Sequence, residues 1–343
     1  MSVLLFVRDG GNDGDGLTVG NAKSNPQNAF DVAFADTGVA YVLDIGTGTF
    51  AGVTLTADWP SRISVQGAGA ALSNIGGING FGADAPSSET GGGNGLNIEI
   101  IGNGTVNLGD VLVYGGSDSY GWGGGSGGVV TLTNVTCGAV VTVGGNVGGS
   151  VVGYGGSISL TDCITGSLYA YCGSDLSGYS RYYFGGSQPA GNVTLVNSTV
   201  GDIAACGTTN QTGGNGSTVI LTDSTAGAIN ASAGDNSNGS NYPGSITLLR
   251  SAIGAVSLVG GGDGDSGAGS SGGGTLTCTD SSFGTIDSRA GTQYVGATAR
   301  INPTGTTTIH GNYRLAPSFD FSNTALITAS DLVVPDILGT GLL

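Results

Sequence analysis

Residues 218–234 read TVILTDSTAGAINASAG, and residues 245–261 read SITLLRSAIGAVSLVGG. Both run through the same series: an alternating apolar stretch, a polar pair, a second alternating stretch hinged on one glycine, and a glycine-rich exit. Aligned on that glycine, four further copies fall into register: VTLTNVTCGAVVTVGG (130–145), ISLTDCITGSLYAYCG (158–173), VTLVNSTVGDIAACG (193–207) and LTCTDSSFGTIDSRAG (276–291). The register glycines Gly138, Gly166, Gly201, Gly227, Gly254 and Gly284 are spaced by 28, 35, 26, 27 and 30 residues. A constant patterned core followed by a connection of variable length is the sequence form of a solenoid, in which insertions are confined to one edge.

Within a copy the apolar residues alternate, as Ile246, Leu248, Ile253, Val256 and Leu258 do. That is the period of strands with one face inward, and a helical period does not fit. Between the two strands lies a polar corner (Asn134, Asp162, Asn197-Ser198, Asp223-Ser224, Arg250-Ser251, Asp280-Ser281), where a short polar side chain can bond its own backbone and turn the chain. Each strand then pairs with its equivalent one rung away, so the sheets are parallel and the copies stack as a β-helix. The repetition has a physical cause: one rung has unpaired backbone edges and half a core, and similar neighbours satisfy both. The glycine-rich padding is read as loops leaving one side of the stack. Asp223, Arg250 and Asp280 fall at one corner position in successive rungs and are expected to form an exposed acid-base-acid ladder.

Composition narrows the function classes. Seventy of the 343 residues are Gly and 9% are charged, yet 38% are hydrophobic, enough to bury a core. With 24 acidic against 8 basic residues, the molecule repels phosphate backbones and anionic lipid, which argues against nucleic-acid binding. No stretch approaches the roughly 20 apolar residues of a membrane-spanning helix. The opening MSVLLFVRDGG has neither the basic start nor the apolar length of a signal peptide. Cys137, Cys163, Cys172, Cys206 and Cys278 lack metal-type spacing, and no two of adjacent rungs share a position, so free thiols in small core or turn slots are expected.

The first hundred residues add a resemblance. FVRDGGNDGDGLTVGNAKSNPQNAFDVA (6–33), YVLDIGTGTFAGVTL (41–55) and RISVQGAG (62–69) resemble the opening of right-handed parallel β-helix proteins of the pectin-lyase-like superfamily. In that group a GGNDG-like turn and a short helix precede a strand ending in a GTF-type motif, and the helix plugs the first coil. The resemblance implies an all-β, right-handed parallel β-helix with a short N-terminal capping helix. Here Pro26 would start the helix, and Ala29, Phe30, Ala33 and Phe34 would form its apolar face. The expected division is a cap and first coil over 1–67, a repeat solenoid over 68–297, and a C-terminal cap or docking segment over 298–343.

The fold serves polysaccharide lyases, hydrolases, phage tailspikes and fibres, and surface adhesins alike, so function rests on sites. A hydrolase needs converging carboxylates, and a pectate-lyase-like site needs an acidic Ca²⁺ cluster beside a basic residue; the sequence displays neither. His310 has no nucleophile partner at a recognisable spacing. The stretches 9–16, 235–241 and 260–267 carry Asp, Asn or Ser beside Gly, but none is a complete EF-hand loop or Ca²⁺-binding nonapeptide. The expectation is therefore solvated turns, with Ca²⁺ as the alternative and no other cofactor.

Two aromatic insertions stand out as contact candidates: SGYSRYYFGG (177–186), with Tyr179, Arg181, Tyr182, Tyr183 and Phe184 near the aromatic rung LYAY (168–171), and YGGSDSYGWGGGSGG (114–128), with Tyr120 and Trp122. Rings not needed in a narrow core can stack on sugars or anchor a protein interface. The resulting expectation is a non-enzymatic structural or host-recognition protein of a phage tail fibre, spike or virion appendage. It would be oligomeric, would contact other virion or surface proteins and a host glycan or protein, and would be located on a virion or an extracellular surface. The alternatives are a polysaccharide lyase or hydrolase on the same scaffold and a bacterial surface adhesin or filament protein.

Overall fold

The computed structural model describes residues 2–36, 38–55, 63–67, 73–84, 92–104, 106–117, 123–146, 153–173, 189–207, 214–234, 242–260 and 274–288, and the backbone of five strands beyond them. It is a parallel β-solenoid. One rung shows how it is built: the strand Val130–Thr133 turns at Asn134-Val135 into the short strand Thr136–Cys137, and Gly138 bends the chain into Val140–Val143. Every strand pair is parallel and in register with the equivalent strand of the neighbouring rung, as in Val130↔Ile158 and Val140↔Leu168. The stacking yields a nine-stranded sheet, a twelve-stranded sheet and a five-stranded sheet of short strands, with a three-stranded sheet at the N-terminal end.

The alternating pattern dictates what lies inside. Ile246, Leu248, Ile253, Val256 and Leu258 are all buried, as are their equivalents Val130, Leu132 and Val140 in an earlier rung. Each fully buried aliphatic side chain contributes about 1.5–3 kcal/mol, so the core is a column of such contributions repeated rung by rung.

The corner divides its work between the two residues of the pair. Asn134, Asp162, Asn197, Asp223, Arg250 and Asp280 all have left-handed backbone, with φ between 48° and 56°. Asn and Asp adopt that conformation readily and Arg does not, so the corner is fixed by backbone geometry that Arg250 is made to share. The side chain that bonds the backbone belongs to the next residue. Ser198, Ser224, Ser251 and Ser281 are buried, and each hydroxyl donates to the carbonyl two residues back at 2.7–2.8 Å. Each also accepts the backbone N–H of the preceding rung's equivalent residue at 3.1 Å, from Cys163 through Ser251. In Cys163 a thiol takes the serine's place, donating to Thr161 O at 3.2 Å.

The glycine-rich segments that border the loops belong to the stack. One chain of backbone hydrogen bonds runs from Gly173 to Gly153, Gly145, Gly125, Gly116, Gly93 and Ala83, each N–H donating to the next carbonyl at 2.6–3.1 Å. The bonds alternate between crossing the mouth of a loop and crossing to the next rung. A Cβ on Gly116, Gly125, Gly145, Gly153 or Gly173 would overlap the carbonyl oxygen of Ala83, Gly93, Gly116, Gly125 or Gly145 respectively. Close backbone approach is therefore what requires glycine here.

At the N-terminal end the helix Pro26–Ala35 covers the first coil, capped by Asn25, whose side chain accepts from Asn28 N at 3.0 Å. Pro26, Ala29, Phe30 and Ala33 are buried, while Phe34 is only partly so and packs on Phe30. The turn ahead of the helix protects the edge strand Ser2–Val7: Phe6 N donates to Gly16 O, Lys23 N to Phe6 O, and Arg8 N to Lys23 O. At the other end the ladders run beyond residue 297. Thr298–Thr304 and Ser318–Phe321 extend the nine-stranded sheet, and Thr306–Ile309 and Leu326–Ala329 extend the twelve-stranded one. The apolar tail 332–343 and His310 lie outside the described residues.

Candidate functional site

The outward face of the sheet that contains Val140–Val143 carries rings in register. Phe81, Tyr114, Val143 and Tyr171 occupy one column over four successive rungs, and Asn79, Leu112, Val141 and Tyr169 occupy the column beside it. The strands Ile78–Phe81, Val111–Tyr114 and Leu168–Tyr171 each bury their first and third residues, which forces the second and fourth outward. Phe81 and Tyr114 stack with centroids 5.7 Å apart and planes at 14°, and Tyr169 lies 5.8 Å from Tyr171 in a tilted pair. Phe81 is 52% exposed, and Tyr114, Tyr169 and Tyr171 are half-buried. Burial pushes the Tyr171 phenol up to about 12, assisted by Cys206 and Tyr169, so it remains a neutral hydrogen-bond donor over the physiological range.

The sequence-derived candidates stand close to this column in the chain. Tyr120 and Trp122 follow the strand that ends at Tyr114, and Tyr179, Arg181, Tyr182, Tyr183 and Phe184 follow the strand that ends at Tyr171. All seven lie outside the described residues. Phe81 was missed. The signal was the strand INGF (78–81), which places an aromatic three residues after its buried first position just as VLVY (111–114) does, upstream of the six aligned copies.

Several of the described carboxylates hold rungs together. Asp110 Oδ1 accepts Ala139 N at 2.8 Å, and Asp202 Oδ1 accepts Ala228 N at 2.7 Å, each tying the bend of one rung to the next. Asp162 accepts from Asn197 Nδ2. Asp223 receives both Nε and an Nη of Arg250 at 2.6 Å; this hydrogen bonding lowers the Asp223 pKa and raises that of Arg250, to which Asp280 adds a smaller contribution of the same sign. The expected acid-base-acid ladder is thus present as a bidentate pair with Asp280 beside it. Arg8 places a guanidinium nitrogen 3.1 Å from Asp44 Oδ1 and its ring-facing side 5.0 Å from Phe6.

In the acidic stretch 9–16, Asp13 accepts Ser24 N, Ser24 Oγ and Asn28 Nδ2 at 2.7–2.8 Å, and these bonds, led by the Ser24 backbone, lower its pKa. Asp15 accepts Leu17 N, and Asn12 accepts Gly14 N. These bonds tie the turn to itself and to the start of the helix. Among the described residues no three His, Cys, Asp or Glu side chains gather to hold a metal ion. The stretches 235–241 and 261–267 lie outside the described residues.

All five cysteines are free. Burial pushes the thiols of Cys137 and Cys278 up to about 12 and that of Cys206 up to about 11, far from the range of a nucleophile. No helix among the described residues is long and apolar enough to cross a membrane. Comparison with protein-family models, curated proteins and solved structures finds no match.

Proposed function

We propose that this chain is a non-enzymatic solenoid scaffold with a structural or recognition role in a surface appendage, of which a phage tail fibre or spike is the form we favour. The carrying observation is the aromatic column of Phe81, Tyr114 and Tyr171, with Tyr169 beside it, on an outward sheet face. Rings held rigidly by a β-sheet lose little entropy on contact, and Tyr combines an apolar face with a polar tip suited to sugars or to a protein surface. The two aromatic insertions, following Tyr114 and Tyr171 in the chain, would extend this surface. The carboxylates engaged in rung corners favour the scaffold over a polysaccharide lyase or hydrolase.

The test uses purified full-length protein on a panel of bacterial cells and cell-surface polysaccharides. We expect saturable binding that a Tyr114→Ala, Tyr171→Ala variant loses by at least about tenfold, with an unchanged circular dichroism spectrum. Equal binding by the variant would remove the column from the contact surface. Release of new reducing ends or unsaturated uronates from any of the polysaccharides would overturn the non-enzymatic reading.

A further inference from the structure

The outward face of the nine-stranded sheet carries a separate inference, independent of the function proposed above. Seven successive rungs present the segments 97–101, 129–133, 157–161, 192–196, 218–222, 245–249 and 275–279 in register. The second and fourth residues of each are buried, so the first, third and fifth form three outward columns. Across those 21 positions, seven rungs by three columns, Glu99 is the only charged residue, and the rest are Thr, Ser, Asn and aliphatic side chains. Ile101, Val196 and Ile220 are 46%, 39% and 37% exposed on it.

Charge resumes on one flank and at one end. The adjoining corner column holds Asp162, Asp223, Arg250 and Asp280, and the next two rungs put Arg300 and then Asp320 at register positions in the first column. A neutral surface with charge on its flank and at its end matches the composition of a protein interface, where charge is depleted from the core.

We propose that this face is an interface between two copies of the chain, packed sheet on sheet about a two-fold axis. Two arguments select a second copy. The first is regularity: the columns repeat at about 4.8 Å along the stack and about 6.7 Å across it, and another copy has that same lattice, so the rows of β-branched side chains interdigitate along their full length. The second is size. Seven rungs by three columns cover roughly 34 by 20 Å, about 680 Å² per copy and about 1,350 Å² for a pair, within the range of specific interfaces.

The experiment is sedimentation equilibrium of the full chain from about 1 to 100 µM, with three proteins compared. Wild type is expected to be a dimer. Thr194→Lys with Ile220→Lys, at the centre of the face, is expected to weaken association at least about tenfold. Thr225→Lys, on the neighbouring short-strand face, is expected to remain a dimer and controls for added charge. Circular dichroism and thermal melts establish that each variant is folded; if the double variant unfolds, Thr247→Lys alone takes its place. A wild type that stays monomeric at 100 µM overturns the proposal, as does a folded Thr194→Lys, Ile220→Lys or Thr247→Lys protein that dimerises like wild type. A monomeric wild type that adsorbs to ice or to crystalline polysaccharide through these residues overturns it in favour of that other regular surface.

Discussion

Replacing Gly127 by Ala distinguishes a packed glycine segment from a flexible one by the sign of the effect. In a flexible loop, Gly→Ala restricts the unfolded chain and stabilises the protein by about 0.4–1 kcal/mol. In the stack, a Cβ on Gly127 would lie 2.5 Å from Gly156 N and 3.0 Å from Gly156 Cα. An ordinary contact is about 3.5 Å, so the two rungs must separate locally by up to about 1 Å. That movement strains the bond from Gly127 N to Tyr154 O, now 2.8 Å. Overpacking of this kind costs about 1–3 kcal/mol, and a weakened backbone hydrogen bond adds about 1 kcal/mol, for a total of roughly 2–4 kcal/mol of destabilisation. The assay is urea denaturation followed by far-ultraviolet circular dichroism, comparing midpoints because a repeat array need not unfold in one step. Gly20→Ala is the control, since a Cβ there meets nothing within 4 Å and the backbone is not left-handed. A Gly127→Ala midpoint equal to or above wild type would refute the reasoning.

The corner and the core carry three further predictions. Ser224→Ala removes the acceptor for Ser198 N and the donor to Thr222 O, so it should cost about 1–3 kcal/mol by the same assay, and Ser224→Cys should cost less because Cys163 fills the equivalent slot with a thiol. A disulfide-exchange reagent at pH 8 should find the buried thiols of the folded protein nearly inert and titrate all five after denaturation. Because Cys137, Cys278 and Cys206 titrate above the ordinary thiol value of 9.0 when folded, the folded state retains protons that the unfolded state releases. These groups should therefore leave stability unchanged up to about pH 8.5 and lower it as pH rises from 9 towards 12, with Tyr171 adding to the fall above its ordinary 10.0. A midpoint that holds constant to pH 11 would contradict those burial-driven shifts.

The sequence made the architecture legible because a solenoid states its rule repeatedly. Alternation identified Ile246, Leu248, Ile253 and Val256 as inward residues, and the capping helix was marked by Pro26 and its apolar spacing. The corner was located correctly, and a short polar side chain does bond its own backbone there, but the division of labour within the pair was not legible. Asx residues and Ser are both turn formers, and only the structure separates the residue that adopts φ > 0 from the one whose hydroxyl joins two rungs. The role of the glycines was hidden for a related reason: composition cannot distinguish a glycine needed for mobility from one needed because a carbonyl from the next rung occupies the space of its Cβ. The aromatic column was half visible, in LYAY and Tyr114. Its continuation to Phe81 required the register of a rung whose sequence departs from the repeat.

The central claim, that packed glycine segments close the rungs and belong to the same cooperative stack as the strands, is tested most directly by native-state hydrogen exchange read by mass spectrometry. The account predicts that the amides of Gly116, Gly125, Gly145 and Gly153, each donating within the glycine ladder, exchange as slowly as those of the strands Val130–Thr133 and Ile158–Thr161. Exchange of those glycine amides within seconds, while the strands remain protected, would contradict it.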